Sequence, residues 1–296
     1  MKFSKAAQQH FQQLDYKFHR AKLSLRRDGF SNDNEDQILA KYIASLLPEN
    51  HDHTAVDIGA GDGIRWSNSY ALFLNGWQGI GIEYDSRKFV HLAQAYKYFQ
   101  NVFACRNRAT PENIVALLNS YELNSNFSVL SLDIDGNDYW VLRAILSAFR
   151  PQLIVTEINE KIPPPIRFVV KYNPDFQLRH HFFGYSISML ADLCEEFDYT
   201  LLELEYNNAF LAPRELAGNQ GLEPEVAYKQ GYLDRTDRKE KFGLNFDMER
   251  IYSLSADEAI KFLENFYSKF NNEYLLSLKP MKITPILGPN GPFDQR

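Results

Sequence analysis

Three glycines and one glutamate carry the clearest chemical signal in the sequence. Gly59, Gly61 and Gly63 alternate at the end of a short apolar run, and Glu83 ends a second apolar run about twenty residues later. Glycine lets the backbone turn sharply and leaves no side chain between it and a ligand. A carboxylate at the tip of the next parallel strand can accept both hydroxyls of a ribose. Together these residues predict a nucleoside-binding strand-loop-strand unit.

Two other types of glycine loop fit the sequence less well. A phosphate-binding loop needs Gly-Lys-Ser/Thr after its glycines, whereas residues 63–66 read GIRW. A dinucleotide loop has the form GxGxxG, whereas this loop is GxGxG with Asp62 inside it. A negative residue is unfavourable beside a pyrophosphate and tolerable beside a cationic ligand. A tight turn that binds nothing is the remaining alternative.

Alternating strands and helices must position these residues. The pattern predicts strands at 54–58, 79–83, 101–105, 127–132 and 152–157, with helices at 66–75, 87–98, 110–120 and 137–149. A helix at 35–47 precedes them, and a helix at 186–196 leads into a hairpin of 199–206 and 209–211 that turns on Asn207 and Asn208. This alternation predicts a parallel sheet with helices on both faces. Ligands then bind beyond the carboxyl ends of the strands.

Three segments resemble a known enzyme family. Residues 56–63, VDIGAGDG, resemble the first motif of class I S-adenosylmethionine-dependent methyltransferases, and residues 81–83, GIE, their acid-ended second strand. Residues 129–142, VLSLDIDGNDYWVL, resemble the Asp-x-Glu/Asp-Gly block of the FkbM-type family, many of whose members methylate hydroxyls. The resemblance covers about residues 35–212. The chain departs from the pattern in an insertion after Glu157 and beyond Pro213.

The resemblance implies a fold and an activity. The fold is a Rossmann-like doubly wound, mostly parallel seven-stranded sheet that an antiparallel C-terminal hairpin closes. The expected organisation is an N-terminal helical segment (1–50), a cofactor-binding domain (51–212) with a lid (160–184), and a C-terminal extension (213–296). The expected cofactor is S-adenosyl-L-methionine, and the acceptor is a hydroxyl of a small or sugar-like natural product. A non-catalytic nucleoside-binding or scaffold protein, and a methyltransferase acting on protein or RNA, are the alternatives.

The same resemblance assigns the cofactor contacts. The three glycines approach the amino-acid end and the ribose of the cofactor, and Glu83 takes the ribose hydroxyls. Asp57, at the base of the loop, organises loop amides or accepts from the cofactor's ammonium. Tyr84 or Asp85 borders the adenine, and Arg106 is either an adenine contact or a surface charge. Asp133 is a further candidate cofactor contact.

An acidic cluster at the ends of the fourth and fifth strands supplies the candidate chemistry. Transfer to a hydroxyl needs a group that removes its proton, and Asp133 is the candidate base. Alternatively Asp133, Asp135, Glu157 and Asn159 hold Mg²⁺ or Ca²⁺, since hard oxygen ligands suit these metals, and such an ion lowers the pKa of a coordinated hydroxyl. A third interpretation is that Asp135 caps the following helix.

Two histidines lie in the predicted lid. Histidine titrates near neutral pH and is the commonest proton acceptor in catalysis. Either His180 or His181 is therefore a candidate base or substrate contact. Polar loop surface is the alternative.

Composition limits the partners. The net charge of −6 over 296 residues argues against nucleic acid, which favours a basic surface. Two cysteines exclude a disulfide framework. The first residues lack the apolar core of a signal peptide, and no apolar run has the length of a membrane span. The sequence therefore predicts a cytoplasmic protein with a small-molecule substrate.

Two further helices are candidate docking surfaces for a second copy of the chain. They are predicted at 4–26, with a basic cluster at 20–27, and at 256–270. A loose tail is predicted at 280–296.

Overall fold

A seven-stranded sheet forms the centre of the protein. The computed structural model describes residues 29–281 and residue 283. The strand order is β3-β2-β1-β4-β5-β8-β7, and a separate two-stranded sheet pairs β6 with β9. The strands are β1 (Thr54–Ile58), β2 (Gln78–Glu83), β3 (Val102–Arg106), β4 (Val129–Leu132), β5 (Leu153–Glu157), β6 (Arg167–Val170), β7 (Tyr199–Glu205), β8 (Asn208–Pro213) and β9 (Tyr274–Ser277).

Helices connect the strands and cover the sheet. The α-helices are α1 (Glu35–Leu46), α2 (Tyr70–Leu74), α3 (Ser86–Tyr96), α4 (Ile114–Ser120), α5 (Asp138–Leu146), α6 (Ile187–Phe197), α7 (Arg214–Ala217), α8 (Pro224–Tyr228), α9 (Arg238–Lys241) and α10 (Ala256–Phe266). A π-helical turn follows α8 (Lys229–Leu233), and 3₁₀ turns lie at Gly243–Asn245, Glu249–Ser253 and Ser268–Phe270.

The sheet is parallel from β3 to β5 and antiparallel at β8 and β7. Every residue of β1 and β4 is buried, as expected for parallel strands covered on both faces. Alternate residues reach two separate apolar cores: Val56 and Leu130 contribute to one, Ala55 and Val129 to the other. The predicted Rossmann-like sheet with its antiparallel hairpin is confirmed. The carboxyl ends of β1, β2, β4 and β5 therefore share one edge.

Several predicted boundaries were wrong, for local reasons. Helix α2 begins at Tyr70 rather than at residue 66, because Trp66 has a left-handed backbone with φ 60°, which a right-handed helix cannot contain. Helix α4 begins at Ile114 rather than at residue 110, because the Asn113 side chain accepts the Thr110 N–H and fixes a turn there. The hairpin turns at residues 206 and 207, one position earlier than predicted.

The lid and the extension contain structure that the sequence pattern did not predict. Strand β6 lies inside the lid and pairs antiparallel with β9 near the end of the chain. A third apolar core lies between them and includes Phe168, Phe182, Leu263 and Tyr267. Helix α10 begins at Ala256 as predicted, with Ser255 as the N-cap of a complete capping box, and ends at Phe266 rather than at residue 270. The lid is therefore fastened to the extension.

The predicted helix at 4–26, its basic cluster and most of the predicted tail lie outside the described residues. Within the part of the chain that the structure describes, no helix combines the length and apolar character that a membrane crossing requires.

Candidate active site

The glycine loop follows β1, and its three glycines differ in their surroundings. All three have a positive φ, between +58° and +86°, a conformation that other residues rarely adopt. A Cβ on Gly59 would lie 1.6 Å from the Asp133 carbonyl oxygen, and one on Gly63 would lie 2.6 Å from Leu92. A Cβ on Gly61 would meet nothing within 4 Å. Gly59 and Gly63 are thus required by packing, whereas Gly61 presents bare backbone to open space.

Glu83, at the end of β2, lies beside this open backbone. Its side chain is largely buried at 7% exposure. Oε2 accepts the Gly61 N–H at 2.9 Å, and Oε1 accepts the Asp85 N–H at 2.6 Å. A carboxylate offers about four lone-pair positions, so each oxygen keeps one for a further donor. Glu83 points towards the glycine loop, as the nucleoside hypothesis requires.

An aromatic ring and two arginines lie beyond Glu83. Tyr84 is 57% exposed, and the Arg108 guanidinium lies 4.1 Å from the centre of its ring. Arg108 also donates to the Pro174 carbonyl in the lid. Arg106 is exposed and lies opposite Glu83 in the β2–β3 register. Arg108 was missed by the sequence reasoning, although it follows the predicted Arg106 by two positions.

Asp57 is buried below the loop and holds the segment that follows it. Its Oδ2 accepts from the hydroxyls of Ser69 at 2.5 Å and Ser67 at 3.4 Å. Burial raises the pKa of Asp57 to about 6. The structure gives Asp57 these serine hydroxyls, rather than loop amides, as partners. A bond from Asp57 to the cofactor's ammonium stays a prediction.

A buried aspartate organises the loop after β4. The Asp138 carboxylate accepts the N–H groups of Ile134 and Gly136, both at 2.7 Å, and burial raises the pKa of Asp138 to about 6. Asp135 adopts a left-handed backbone conformation with φ 59°. The expectation that Asp135 caps α5 was wrong, since Asn137 occupies the N-cap position and no side chain makes a capping bond there. Asp135 remains free to join the acidic cluster.

Asp133, Asp135 and Glu157 lie together at the ends of β4 and β5. Each offers a carboxylate oxygen within 4.8 Å of the others. Asp133 is partly accessible to solvent, but the protein atoms packed around its carboxyl group exclude most of the water there. Burial, then the charges of Asp138 and Asp135, raise its pKa to about 7. Burial and the charge of Asp133 also raise the pKa of Glu157 well above its usual range. Such a cluster shares a proton or binds a cation.

Asn159, the fourth predicted metal ligand, has other bonds. Its side chain is fully buried, and Nδ2 donates to the carbonyl oxygens of His181 and Phe183, both at 3.0 Å. Its Oδ1 accepts the Lys161 N–H at 3.4 Å. The structure therefore uses Asn159 to anchor the lid. Asn207 contacts the cluster, donating to Glu157 Oε1 at 2.8 Å.

The two lid histidines differ in exposure. His180 is exposed, whereas His181 is 4% exposed with Nε2 at 2.9 Å from Asp247 Oδ1 in the extension. Burial lowers the pKa of His181 to about 4, so its imidazole is neutral at neutral pH and a weak proton acceptor. The Tyr267 hydroxyl donates to the His181 carbonyl at 2.7 Å.

A cavity of about 280 Å³ connects the sheet edge, the lid and the extension. Glu157, which belongs to the acidic cluster, lines this cavity. The other side chains that line it are mostly polar and include Glu160, Lys161, His180, His181, Asn207 and Asn245. Its size and polarity suit a small polar molecule.

Comparison with known proteins gives distant likenesses. No protein-family model matches the chain, and no curated protein matches it. Among solved structures, an O-methyltransferase from Bacillus cereus in complex with SAH is 12% identical, with 68% of this chain and 89% of that chain covered and a TM-score of 0.37. A TehB-like SAM-dependent methyltransferase from Corynebacterium glutamicum is 11% identical, with 67% and 96% covered and a TM-score of 0.38. Likenesses this distant assign no family.

Proposed function

We propose that the protein transfers a methyl group from S-adenosylmethionine to a hydroxyl of a small polar or sugar-like acceptor. The observation that carries the proposal is the pairing of Gly61 and Glu83. The Gly61 backbone has open space where a side chain would stand, and its N–H donates to the Glu83 carboxylate, which keeps spare lone pairs. Both lie at the carboxyl edge of a parallel sheet. This is the edge at which doubly wound sheets bind nucleosides.

The surroundings of the loop favour an adenosine without a pyrophosphate. The two free lone-pair positions of Glu83 match the two ribose hydroxyls, and the exposed ring of Tyr84 offers a stacking surface for a base. Asp62 Oδ1 accepts the N–H groups of Ile64 at 2.9 Å and Arg65 at 2.7 Å. A phosphate bound at this loop would need free backbone N–H groups. Because the Asp62 carboxylate already accepts these two N–H groups, a cationic ligand fits the loop better than a phosphate does.

The acidic cluster supplies the proton acceptor. Methyl transfer to a hydroxyl requires a base within reach of the acceptor. Burial, then the charges of Asp138 and Asp135, raise the pKa of Asp133 to about 7, so its deprotonated form is a stronger base than an ordinary carboxylate and is populated at neutral pH. Asp133, Asp135 and Glu157 also provide the oxygen ligands that Mg²⁺ prefers. If Mg²⁺ binds there, it lowers the pKa of a coordinated hydroxyl. If a chelator removes the activity and added Mg²⁺ restores it, the reaction depends on the metal rather than on Asp133 alone as the base.

The polar cavity is the proposed acceptor site. It begins at Glu157, so an acceptor bound there lies next to the acidic cluster. Glu160, Lys161 and Asn207 offer donors and acceptors for several hydroxyl groups. Phe183, Phe242 and Leu244 add apolar surface to the same cavity. This mixture suits a sugar, whose ring has polar edges and apolar faces.

A crystal soaked with S-adenosylhomocysteine tests the proposal. The expected density places the ribose at Glu83, the adenine beside Tyr84 and the sulfur facing the acidic cluster. Asp133→Ala should bind S-adenosylmethionine as the wild type does and lose turnover. Density elsewhere, or none, would refute the cofactor site. Binding without methyl transfer to any monosaccharide or polyol would favour the alternative of a nucleoside-binding protein.

A further inference from the structure

A second cluster of ligand-type side chains lies where the lid meets the extension. His180, His181 and Asp247 each offer one nitrogen or oxygen atom within 4.8 Å of the others. The rings of the two histidines lie 3.7 Å apart at an interplanar angle of 77°. The cluster differs from the acidic cluster at the strand ends in both position and donor type.

The backbone brings the two histidines to the same side. Successive side chains of an extended chain point in opposite directions. His180 instead has φ 35°, in the left-handed region, which is strained in a residue other than glycine. Strain of this kind persists where the surrounding structure enforces it, and it clusters at functional sites. Here it makes the adjacent rings converge.

His181 is buried without the partners that a buried imidazole needs. Among the residues that the structure describes, neither of its ring nitrogens has a partner in hydrogen-bonding geometry, and its side chain is 4% exposed. Its Nε2 lies 2.9 Å from Asp247 Oδ1, so Nδ1 is the nitrogen that no described residue contacts. Buried unsatisfied polar atoms are rare in native proteins and call for an explanation, such as a bound ion.

We propose that His180, His181 and Asp247 bind one divalent transition metal ion of the Zn²⁺ type. Two imidazoles and one carboxylate form a common ligand set for such ions, with a fourth position left open. Zn²⁺ lies about 2 Å from such ligand atoms. A movement of these side chains by about 1 Å would therefore bring all three ligand atoms into contact with one ion. The open position faces the polar cavity, which both histidines line.

The surroundings support a bound cation. The Tyr267 hydroxyl and the Asn159 amide both donate to the His181 carbonyl, which fixes the backbone that carries the ligand. The positive charge of Lys161 is balanced by Glu160, 2.9 Å from its ammonium. The ion would join lid residues to Asp247 in the extension and so hold the lid closed over the cavity.

Titration calorimetry of the full-length, chelator-treated protein with Zn²⁺ tests this site. The measurement contains no S-adenosylmethionine, so its outcome is independent of the proposed methyl transfer. We expect one Zn²⁺ per chain. Asp247→Asn and His181→Ala should each weaken binding by more than about 100-fold, since loss of an outer partner alone costs 10–100-fold. Asp247 is 38% exposed, so its variant keeps the test valid if His181→Ala does not fold.

Two variants serve as matched controls. His91→Ala removes an exposed histidine of α3, and Asp135→Asn changes the acidic cluster. Both should bind Zn²⁺ as the wild type does. Absence of stoichiometric Zn²⁺ binding would overturn the proposal, and so would full affinity in Asp247→Asn. If Asp135→Asn alone lost Zn²⁺ binding, the ion would have to bind at the acidic cluster. That result would also overturn the proposal.

Discussion

Asp57 shows how one buried side chain connects loop geometry to pH. It accepts from two serine hydroxyls below the glycine loop, and burial raises its pKa from 3.8 to about 6. The folded state therefore binds this proton more tightly than the unfolded state. The stability that the proton contributes is present below pH 4 and is lost as the pH rises through 6.

Asp57→Asn should remove this pH dependence. At about 1.4 kcal/mol for each pH unit between the two pKa values, the variant should gain about 3 kcal/mol relative to the wild type between pH 4 and pH 6.5. Urea unfolding of both proteins across this range measures the difference. A difference that stays constant with pH, or that falls, would contradict the assignment.

Gly59 and Gly61 should respond differently to the same substitution. Gly61→Ala places its methyl group in open space, so it should cost only the left-handed backbone penalty of about 1–2 kcal/mol and should block cofactor binding. Gly59→Ala drives its Cβ into the Asp133 carbonyl and should cost about 3 kcal/mol or more. Urea unfolding and calorimetry with S-adenosylmethionine separate the two effects. Normal binding by Gly61→Ala would show that no ligand approaches there.

At the scale of elements, the pairing of β6 with β9 holds the lid on the extension. Tyr274 on β9 packs against Phe168 and Phe182 of the lid, with ring centres 5.6 and 5.9 Å away. Aromatic pairs contribute about 0.5–1.5 kcal/mol beyond their buried area. The lid is thus a packed unit rather than a loose loop.

Tyr274→Ala should loosen the lid and spare the main sheet. Hydrogen exchange should accelerate at β6 while β1, β4 and β5 keep their protection, because the third apolar core is separate from the other two. Phe246→Ala, which removes a ring that is 76% exposed, is the control. Equal acceleration in all strands would show that the lid and the sheet unfold together.

These elements also show what the sequence could predict. The main sheet follows from local signals, since each strand from β1 to β4 is a short apolar run followed by a helix, and β5 is a further apolar run. The β6–β9 pair could not be predicted, because its two four-residue strands are separated by more than a hundred residues. The positions of Asp133 and Glu83 could likewise be predicted, because each residue ends or directly follows a predicted strand. The bonding of Asp57 to Ser67 and Ser69, and the meeting of His181 with Asp247, depend on tertiary packing.

At the scale of the whole molecule, three separate parts meet at one edge of the sheet. The glycine loop and Glu83 form the proposed nucleoside site, the acidic cluster lies between it and the cavity, and the lid and extension close the far wall. This order matches a transfer reaction, in which donor and acceptor must be held in line. The protein's net charge of −6 is compatible with a small-molecule acceptor.

Calorimetry with S-adenosylmethionine and S-adenosylhomocysteine is the most direct test of the central claim. We predict that both bind the wild type at micromolar concentrations. Glu83→Gln should weaken both by at least about tenfold, since a hydrogen bond to a charged group is worth about 1.5–3 kcal/mol. Glu225→Gln, at an exposed position on α8, should bind normally. Absence of binding to the wild type, or equal affinity in Glu83→Gln, would contradict an adenosine site at the ends of β1 and β2.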